Sequence, residues 1–478
     1  MKDAAKAAKV RGTVGHPIID ADGHLVELGP VLEDELLAYL EEAGGRGLRD
    51  RYLASMVKPF DTSTALSDRS DPRVRQRWLA MPSWWGWQTR NVKDRATAHL
   101  PRLLYERLDE MGIDLTLLYP STVLALLDLD DVELGAALAR GANRWLARGF
   151  KPYRDRIAVG GIVPMSNPKT AIAELEYAVN ELGMKTVVMT GYARRPIAGN
   201  QFRLDTFGLD SEYDYDPLWA KCIELGVAPL SHSSHLHTRP SRSVSNYVYN
   251  HIGALAASHE SLAKSLFLGG VTRRFPGLRF GFLEGGVAWA ASLYADLLGH
   301  WSKRNCVNIL ELDPDRLDVD ELMEYMERYG DDAVRSRLGP IRRFFSRPAA
   351  RPEMLDEFAR AEIRRAEDIR DRFVPNFYFG CEADDPLVAW AFAGRTNPLG
   401  ARLRAMMGSD ISHWDVPDMT EPVADAYGLV ERGLITEEDF REFTFLNPVR
   451  LHAGMNPRLF EGTICEKAVA QELAKGID

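Results

Sequence analysis

Eight short apolar segments, separated by helical patterns, constrain the fold of this 478-residue chain more than any other feature. Most of them are apolar throughout rather than alternating, which is typical of parallel strands covered on both faces. They lie at residues 17–24, 113–121, 156–165, 184–191, 226–234, 278–286, 376–384 and 404–413. The sequence therefore predicts parallel strands joined by helices.

Helix patterns fill the connections between these segments. The pattern at 167–183 starts with Asn167 and Pro168 and stops at Gly183, which are residue types that favour a helix start and a helix end. Residues 216–226 have a similar start, Asp-Pro, and again end at a glycine. Eight strand–helix units in series predict a closed (β/α)8 TIM-type barrel with large loop and helical insertions. A doubly wound open sheet is the alternative, and polar residues at the strand ends favour the barrel.

The chain is longer than a barrel needs. A typical barrel has about 250 residues, and the extra residues concentrate at about 44–98, 192–213 and 300–375. Because no internal repeat or linker interrupts it, residues 17–465 are predicted to be one barrel domain with these insertions. Residues 1–16 are predicted to be a disordered leader and residues 466–478 a C-terminal tail.

Composition limits the classes of partner and the cellular compartment that we expect for this chain. A net charge of −10 argues against a nucleic-acid partner, which would favour a basic surface. No segment approaches the roughly 18 consecutive apolar residues of a membrane span, and the N-terminus lacks the apolar region of a secretory signal. The four cysteines lie far apart without a C-x-x-C pair, which fits a reducing compartment. We therefore expect a cytoplasmic protein with no membrane partner.

Ionisable side chains end four of the predicted strands. They are Asp22 and His24 on the first, His232, His235 and His237 on the fifth, Glu284 on the sixth, and Asp410 and His413 on the eighth. Catalytic groups of a parallel barrel sit at these carboxyl ends. Grouped buried carboxylates are costly unless a cation or hydrogen bonds offset them. The pattern therefore predicts a divalent metal ion at this mouth.

Each group taken alone also has a structural interpretation. An Asp-x-His sequence is often a loop hydrogen bond, and Glu284 is equally suited to a salt bridge with an arginine. Asp410 in a Gly-Ser-Asp sequence is typical of a turn or a helix N-cap. The metal prediction therefore depends on the groups meeting at one mouth.

Several segments resemble the amidohydrolase superfamily, in the branch that contains the aminocarboxymuconate-semialdehyde decarboxylase-like enzymes. The segments are IIDADGHLVE, PLSHSS, SLFLGGVTRRFPGLRFGFLEGGVAWA, MGSDISHWDVP and FLNPVRLHAGMNPRLF. The resemblance covers roughly residues 17–25, 100–290 and 375–460. It implies a barrel that binds one or two divalent metal ions at its mouth and hydrolyses or decarboxylates a small molecule.

The resemblance also implies roles for single residues. The family's first-strand H-x-H motif falls on Asp22 and His24, its fifth-strand metal histidine on His232, and its eighth-strand aspartate on Asp410. Its sixth-strand histidine, a ligand or acid–base residue, falls on Glu284. The chain departs from the family at Asp22 and Glu284, where carboxylates replace imidazoles, and no bridging lysine is evident after the fourth strand.

Carboxylates in place of imidazoles make the site harder, which favours Mn²⁺ or Fe over Zn²⁺. One or two metal ions are therefore expected, and Zn, Mn and Fe all stay open. The candidates for a second metal position are Glu27, His235, His251 and Glu284. The predicted catalytic residues are Glu284 as acid–base or second-metal ligand, Asp410 as proton acceptor, and His413 as an assisting group.

The leading hypothesis is a metal-dependent hydrolase or decarboxylase (a C–C lyase) acting on a small organic acid or amide. One alternative is a dinuclear Fe or Mn oxygenase, a hydroxylase (monooxygenase) built on the same barrel, which the carboxylate enrichment motivates. A second alternative is a non-catalytic partner subunit of an active homologue. The resemblance implies a homo-oligomer, or a hetero-oligomer with a homologous subunit.

The inserted loops contribute the candidate substrate-binding residues. Trp85 and Trp87, in MPSWWGWQTR, are candidates for an apolar or aromatic pocket wall. Anchoring of the insertion and an oligomer contact are the structural alternatives for these tryptophans. Arg194, Arg195 and Arg239 follow the fourth and fifth strands, where a guanidinium can bind a substrate carboxylate in a bidentate manner.

Overall fold

A computed structural model describes residues 4–54, 90–129, 131–198, 201–232, 243–346 and 355–476. Five residues that the sequence analysis singled out lie outside these ranges: Trp85, Trp87, His235, His237 and Arg239. Their predicted roles therefore stay predictions.

Eight parallel strands form a nearly closed barrel, and two further strands form an antiparallel hairpin outside it. The strands are β1 (Ile19–Leu25), β2 (Leu115–Pro120), β3 (Ile157–Val163), β4 (Thr186–Met189), β5 (Ala193–Ile197), β6 (Gln201–Asp205), β7 (Pro229–Ser231), β8 (Phe280–Phe282), β9 (Phe377–Glu382) and β10 (Arg404–Gly408). The order around the barrel is β1-β2-β3-β4-β7-β8-β9-β10. Seven barrel strands fall within predicted apolar segments, and β1 extends one residue beyond its segment, so the predicted (β/α)8 architecture is confirmed.

The barrel closes between β1 and β10 at its carboxyl end. The backbone N–H of Asp410 donates to the carbonyl of Asp22 at 2.9 Å, and the N–H of His24 donates to the carbonyl of Ile411 at 3.1 Å. Both bonds use residues that follow β10 rather than β10 itself. The closing seam is therefore fastened at the mouth, beside the predicted metal ligands.

A layer of inward-facing side chains fills the barrel beneath the mouth. Ile162, Val188, Leu230, Gly281 and Tyr378 lie opposite one another in the registers of five consecutive strands. Gly281 is required in this layer because a Cβ there would lie 2.4 Å from the Leu230 side chain. The interior is thus a packed core, which confines any reactive site to the open carboxyl end.

Helices surround the barrel and account for most of the insertions. The α-helices are Ala4–Thr13, Gly29–Ala54, Val92–His99, Pro101–Met111, Val132–Phe150, Pro168–Glu176, Asp216–Leu225, Tyr247–His251, Ala254–Leu268, Val271–Arg274, Ala288–Arg304, Val319–Tyr329, Asp332–Arg335, Leu338–Phe345, Ala366–Phe373, Ala389–Phe392, Pro422–Glu431, Glu437–Arg441, Asn447–Ala453 and Glu466–Ala474. The π-helical turns are Tyr177–Glu181 and Glu442–Leu446. The 3₁₀ segments are Val123–Asp128, Lys151–Tyr153, Asn308–Leu312, Pro314–Arg316, Ala359–Ala361, Pro386–Val388 and Pro398–Gly400.

The structure corrects the prediction of a disordered leader. Residues Ala4–Thr13 form a helix, and its Ala7 and Val10 side chains are buried in the main apolar cluster. The predicted insertion at 192–213 contains the β5–β6 hairpin, and that at 300–375 is mainly helical. The division of the chain into domains stays a prediction. Among the described residues, no helix combines the length and apolarity needed to cross a bilayer.

Candidate metal centre

The four predicted ligands converge at the carboxyl end of the barrel. Asp22 and His24 lie in β1, His232 directly follows β7, and Asp410 lies two residues after β10. All four side chains are buried. Strands that are far apart along the chain thus bring Asp22, His24 and His232 together, with ligand atoms within 4.8 Å of one another, and place Asp410 beside His24.

His24 lies at the centre of this group. Its Nε2 atom is 3.1 Å from Nε2 of His232, 3.4 Å from Oδ1 of Asp22 and 3.5 Å from Oδ1 of Asp410. Ligand atoms at about 2.1 Å from one ion, at octahedral to tetrahedral angles, lie about 3.0–3.4 Å apart. The Oδ1 atom of Asp22 is buried and accepts no hydrogen bond from the described residues. These residues therefore fit a divalent cation.

A second group of carboxylates adjoins the first. Oxygen atoms of Glu284, Glu382, Asp410 and Asp415 lie within 4.8 Å of one another. Glu382 and Asp415 were not singled out from the sequence, although Glu382 is the last residue of β9 and the strand-end rule covers it. Asp410 and Glu284 also lie within 4.8 Å of His24 and His413, so the carboxylates join the Asp22–His24–His232 group through His24.

His413 and Ser121 extend the centre towards β2. The Nδ1 atom of His413 lies 2.6 Å from Oδ1 of Asp410, and its Nε2 atom lies 2.9 Å from Oγ of Ser121. The ring of His413 stacks on that of His24, with centroids 3.9 Å apart and planes 24° from parallel. Ser121, which directly follows β2, was missed from the sequence because serine is common in loops.

Comparison with known proteins identifies the family. The amidohydrolase family model matches residues 19–451, which is most of the chain. The chain belongs to the amidohydrolase family. A search of curated proteins finds no match.

Solved structures share the fold of this amidohydrolase at low sequence identity. An amidohydrolase from Mycobacterium avium subsp. paratuberculosis K-10 is 16% identical, with 92% of this chain and 99% of that chain covered and a TM-score of 0.50. A 2,6-dihydroxybenzoate decarboxylase from Rhizobium is 16% identical over 91% and 98% of the two chains, at a TM-score of 0.48. A 4-oxalomesaconate hydratase from Rhodopseudomonas palustris is 16% identical over 96% and 99%, at 0.45.

Asp20 fastens this amidohydrolase barrel rather than joining the metal-ligand groups. Its buried carboxylate accepts hydrogen bonds from Thr116 Oγ1 at 2.8 Å and from the Ser409 N–H and Oγ at 2.8 and 2.7 Å. These bonds join β1 to β2 and to the end of β10. A Cβ at Gly23 would lie 2.5 Å from both Asp20 Oδ2 and Thr116 Oγ1, so only glycine fits between Asp22 and His24.

The structure does not bring Glu27 into either ligand group. Its carboxylate accepts hydrogen bonds from the N–H and Oγ1 of Thr122 and from the N–H of Val123. Glu27 therefore holds the loop after β2. Its role as a second-metal ligand stays a prediction, and its hydrogen-bond partners could not be identified from the sequence.

Glu284 lies between two imidazoles. Its Oε2 is 3.2 Å from Nε2 of His232, and its Oε1 is 3.4 Å from Nε2 of His251. Aromatic rings cover this side of the mouth: Tyr247 stacks on His251 with centroids 5.2 Å apart, and Trp414 meets the His251 ring edge-on at 5.7 Å. The predicted proximity of His251 and Glu284 is thus observed, and their roles stay predictions.

The two described arginines of the predicted substrate site lie on the β5–β6 hairpin. The buried guanidinium of Arg195 donates to Asp205 Oδ2 at 3.0 Å, to the Ser166 carbonyl at 2.6 Å and to Tyr215 Oη at 2.8 Å. Arg194 is exposed, with its guanidinium 5.7 Å from the Phe202 ring centroid. Arg195 is thereby occupied in holding the hairpin, and a substrate-binding role for either residue stays a prediction.

Three non-glycine residues at the mouth have left-handed backbone conformations. Their φ angles are 57° at Glu284, 46° at Asp410 and 82° at Ser412. Such conformations cost energy in residues with a side chain and persist where surrounding structure imposes them. The clustering of this strain marks the loops after β8 and β10 as functional.

Burial shifts the pKa values of the ligand groups towards their neutral forms. Burial, together with neighbouring carboxylates, raises the pKa values of Asp22, Glu382 and Asp410 well above the ordinary range. Burial also lowers the pKa of His24, and the neighbouring His413 and His232 lower it further. A bound cation would lower the carboxylate pKa values and would keep His24 neutral, because a cation favours ionised carboxylates and neutral imidazoles.

Glu284 is the exception among these carboxylates. Burial favours its protonated form, but hydrogen bonds from His232 and His251 outweigh burial and hold its pKa well below the ordinary range. Burial likewise disfavours protonated His232 and His251, but Glu284 outweighs it and raises the pKa of each. The negative charge of the metal-free centre is therefore concentrated on Glu284.

Proposed function

We propose that this amidohydrolase is a metal-dependent hydrolase or decarboxylase that acts on a small organic acid. The observation that carries the proposal is the group formed by Asp22, His24 and His232 at the barrel mouth, with Asp410 beside His24. Oxygen and imidazole donors of this kind suit Mn²⁺, Fe²⁺ or Zn²⁺. When bound there, a divalent cation supplies Lewis acidity toward substrate oxygens.

Asp410 and His413 are placed to carry protons during hydrolysis. The attacking water must lose a proton, and the leaving group must gain one. Asp410 accepts that proton, and the 2.6 Å contact passes it to Nδ1 of His413. His413 is oriented for this step by Ser121 on its other nitrogen.

Glu284 and His251 serve decarboxylation. When the C–C bond breaks and carbon dioxide leaves, the electron pair stays on carbon and must be matched by a proton. The pair formed by Glu284 and His251 provides an acid beside the ligand group, at an Oε1–Nε2 distance of 3.4 Å. The His251 side chain is 20% exposed and that of Glu284 is 8% exposed, which limits the access of bulk water to this pair.

The aromatic side of the mouth favours a flat, unsaturated acid as substrate. Tyr247, His251 and Trp414 lie within 6.1 Å of one another, centroid to centroid, beside Glu284. Such rings bind planar ligands by stacking. Hydroxylated aromatic carboxylates and unsaturated dicarboxylates are therefore the first probes.

Elemental analysis of protein purified without chelators tests the proposal. We expect at least one equivalent of Mn, Fe or Zn per chain, and loss of carbon dioxide release or hydrolysis when a chelator removes the metal. His232→Ala should lose the metal, while His300→Ala, an exposed histidine on the helix Ala288–Arg304, should keep it. A chain without stoichiometric metal would reject the proposal in favour of a non-catalytic partner subunit.

A dinuclear oxygenase is the second candidate function. The adjoining carboxylates Glu284, Glu382, Asp410 and Asp415 favour it, because a second cation needs ligands beside the first. We then expect two redox-active metal ions per chain and consumption of O₂ in the presence of substrate and a reductant. Turnover that is unchanged under nitrogen would reject this candidate and retain the hydrolase or decarboxylase.

The proposal also covers the cellular compartment and the oligomeric state of the protein. All four cysteines are free thiols, which supports a reducing compartment, and we place the protein in the cytoplasm. The family resemblance supports a homo-oligomer, and a hetero-oligomer with a homologous subunit is the alternative. Sedimentation of the purified chain alone and with such a homologue separates the two assemblies.

A further inference from the structure

Residues 305–346 form an arm that leaves and rejoins the barrel at one place. The helix Ala288–Arg304 precedes it, and Arg304 forms an ion pair with Glu357. Close by, Trp301 Nε1 donates to the carbonyl of Ile363 at 3.4 Å. Because the helix after β8 runs antiparallel to its strand, the arm emerges at the amino end of the barrel, away from the candidate metal centre.

Two helices of opposite charge form the body of the arm. The acidic helix, Val319–Tyr329, carries four acidic residues and one arginine, and the basic segment, residues 335–346, carries four arginines and no acidic residue. Arg342 Nη1 lies 2.5 Å from Oδ1 of Asp320, and Arg335 Nε donates to the carbonyl of Glu327 at 3.1 Å. These contacts hold the two elements side by side.

The arm exposes far more apolar surface than it buries. Of residues 305–346, only Ile309 and Met323 are buried. The side chains that are each more than half exposed are Val307, Leu312, Tyr325, Tyr329 and Phe344. Exposed apolar residues grouped on one projecting element are typical of an interaction surface.

Charged side chains of the arm that form no ion pair within the described residues indicate which partner binds it. Glu324 and Glu327 on the acidic helix, and Arg337 and Arg343 on the basic segment, take part in no ion pair within the described part of the chain. A surface that carries both signs in separate strips is complementary to itself when a twofold axis lies between the strips. A nucleic acid or an anionic membrane would instead require a single positive field.

We propose that the arm is a self-association surface and that its partner is a second copy of this chain. The acidic helix of one copy lies against the basic segment of the other, twice, around a twofold axis. The exposed tyrosines and Phe344 are then covered at the centre of the contact. This proposal does not rest on the proposed catalytic activity, because the arm contributes no residue to the candidate metal centre, and it assigns the expected homo-oligomer to one surface.

Charge reversal on the full chain tests the arrangement. Wild type should sediment at twice the 53.6 kDa mass of one chain at micromolar concentration. Glu324→Lys with Glu327→Lys should weaken the dimer at least tenfold, and so should Arg337→Glu with Arg343→Glu. An equimolar mixture of these two variants should restore a dimer of the wild-type mass, because each then meets the opposite charge.

A matched control changes the same charge elsewhere. Glu181→Lys with Glu431→Lys reverses two exposed acidic residues near other helix ends and should leave the dimer intact. A monomeric wild type at 50 µM would overturn the proposal. An oligomer that neither charge reversal weakens would also overturn the proposal. So would a mixture of the two variants that forms no dimer although both variants keep the wild-type melting temperature.

Discussion

The Nδ1 atom of His413 lies 2.6 Å from Oδ1 of Asp410, at the edge of the ligand group. The other ring nitrogen faces Ser121, whose hydroxyl donates to the carbonyl of Leu25 at 2.7 Å. Ser121 Oγ therefore accepts from the Nε2–H of His413. This arrangement leaves Nδ1 available to exchange a proton with Asp410.

Ser121 should matter for turnover and not for metal binding. We expect Ser121→Ala to lower kcat about tenfold, because partners that orient a functional imidazole typically contribute this much or more. Metal content should be unchanged, since Ser121 contacts His413 and not the four proposed ligands. Ser121→Thr keeps the hydroxyl and should recover most of the activity. Parallel loss of metal in Ser121→Ala would contradict the orienting role.

The carboxylate at position 22 should set the metal preference. We expect Asp22→His, which introduces the imidazole typical of the family, to shift occupancy from Mn or Fe towards Zn, because imidazole is the softer ligand. Asp22→Leu should lose the metal. The measurement is elemental analysis after growth with equal concentrations of the three metals. Unchanged metal ratios in Asp22→His would show that this residue is not a ligand.

Asp20 should be required for stability as well as for the centre. Asp20→Ala leaves the buried Ser409 N–H and Thr116 hydroxyl without their acceptor, and each such loss costs about 1–3 kcal/mol. We expect the free energy of unfolding to fall by about 3 kcal/mol, measured by urea denaturation. Asp20→Asn retains an acceptor and should lose less. Equal stability of Asp20→Ala and wild type would contradict the fastening role.

His452 should make the fold sensitive to acid. Both of its ring nitrogens are buried without a hydrogen-bond partner among the described residues, and burial lowers its pKa to about 4. The unfolded chain binds a proton below its ordinary pKa of 6.5, whereas the folded chain does so only below about 4. Stability is therefore complete above pH 6.5 and declines between pH 6.5 and pH 4.

The contribution of His452 to the free energy of unfolding is therefore about 2 kcal/mol lower at pH 5 than at pH 7.5, because one pKa unit corresponds to about 1.4 kcal/mol. We expect His452→Leu to remove this part of the pH dependence in urea denaturation curves at the two pH values. His300→Gln, at an exposed histidine, serves as the control and should retain the wild-type dependence. An identical pH dependence in His452→Leu and wild type would contradict this interpretation.

Ser412 should be a site where stability can be gained. Its φ angle is 82°, and its buried hydroxyl has no hydrogen-bond partner among the residues described. We expect Ser412→Gly to stabilise the protein by about 1 kcal/mol, because glycine adopts this conformation without strain. Ser412→Ala removes only the hydroxyl and should gain less. A lower melting temperature in Ser412→Gly than in wild type would show that the side chain contributes packing instead.

The barrel strands were predictable because their apolar runs are continuous, whereas the hairpin was not. Residues Ala193–Ile197 read ARRPI and lie mostly exposed, so neither apolar alternation nor a continuous run marks them. The helix Ala4–Thr13 was missed for a related reason: of its side chains that the structure describes, Ala7 and Val10 alone are buried. Both elements are defined by tertiary contacts rather than by local sequence.

A single geometric rule, that parallel strands present their last residues to one mouth, predicted that Asp22, His24, His232 and Asp410 would lie near one another. The same rule, applied to every strand, would also have found Glu382. The rule does not find the hydrogen-bond partners of Glu27, because Thr122 and Val123 come from a distant loop. It fails for Arg195 as well, since the pairing with Asp205 depends on the hairpin register.

The fastening of β1 to β10 has a consequence for how such a protein can diverge. Asp20, Gly23 and Ser409 belong to the framework that joins the barrel ends, whereas Asp22 and Glu284 face the open centre. Imidazole and carboxylate can therefore be exchanged at the latter positions while the framework stays intact. New chemistry can therefore arise in such a lineage by exchange of one ligand at a time, and every intermediate sequence can still fold.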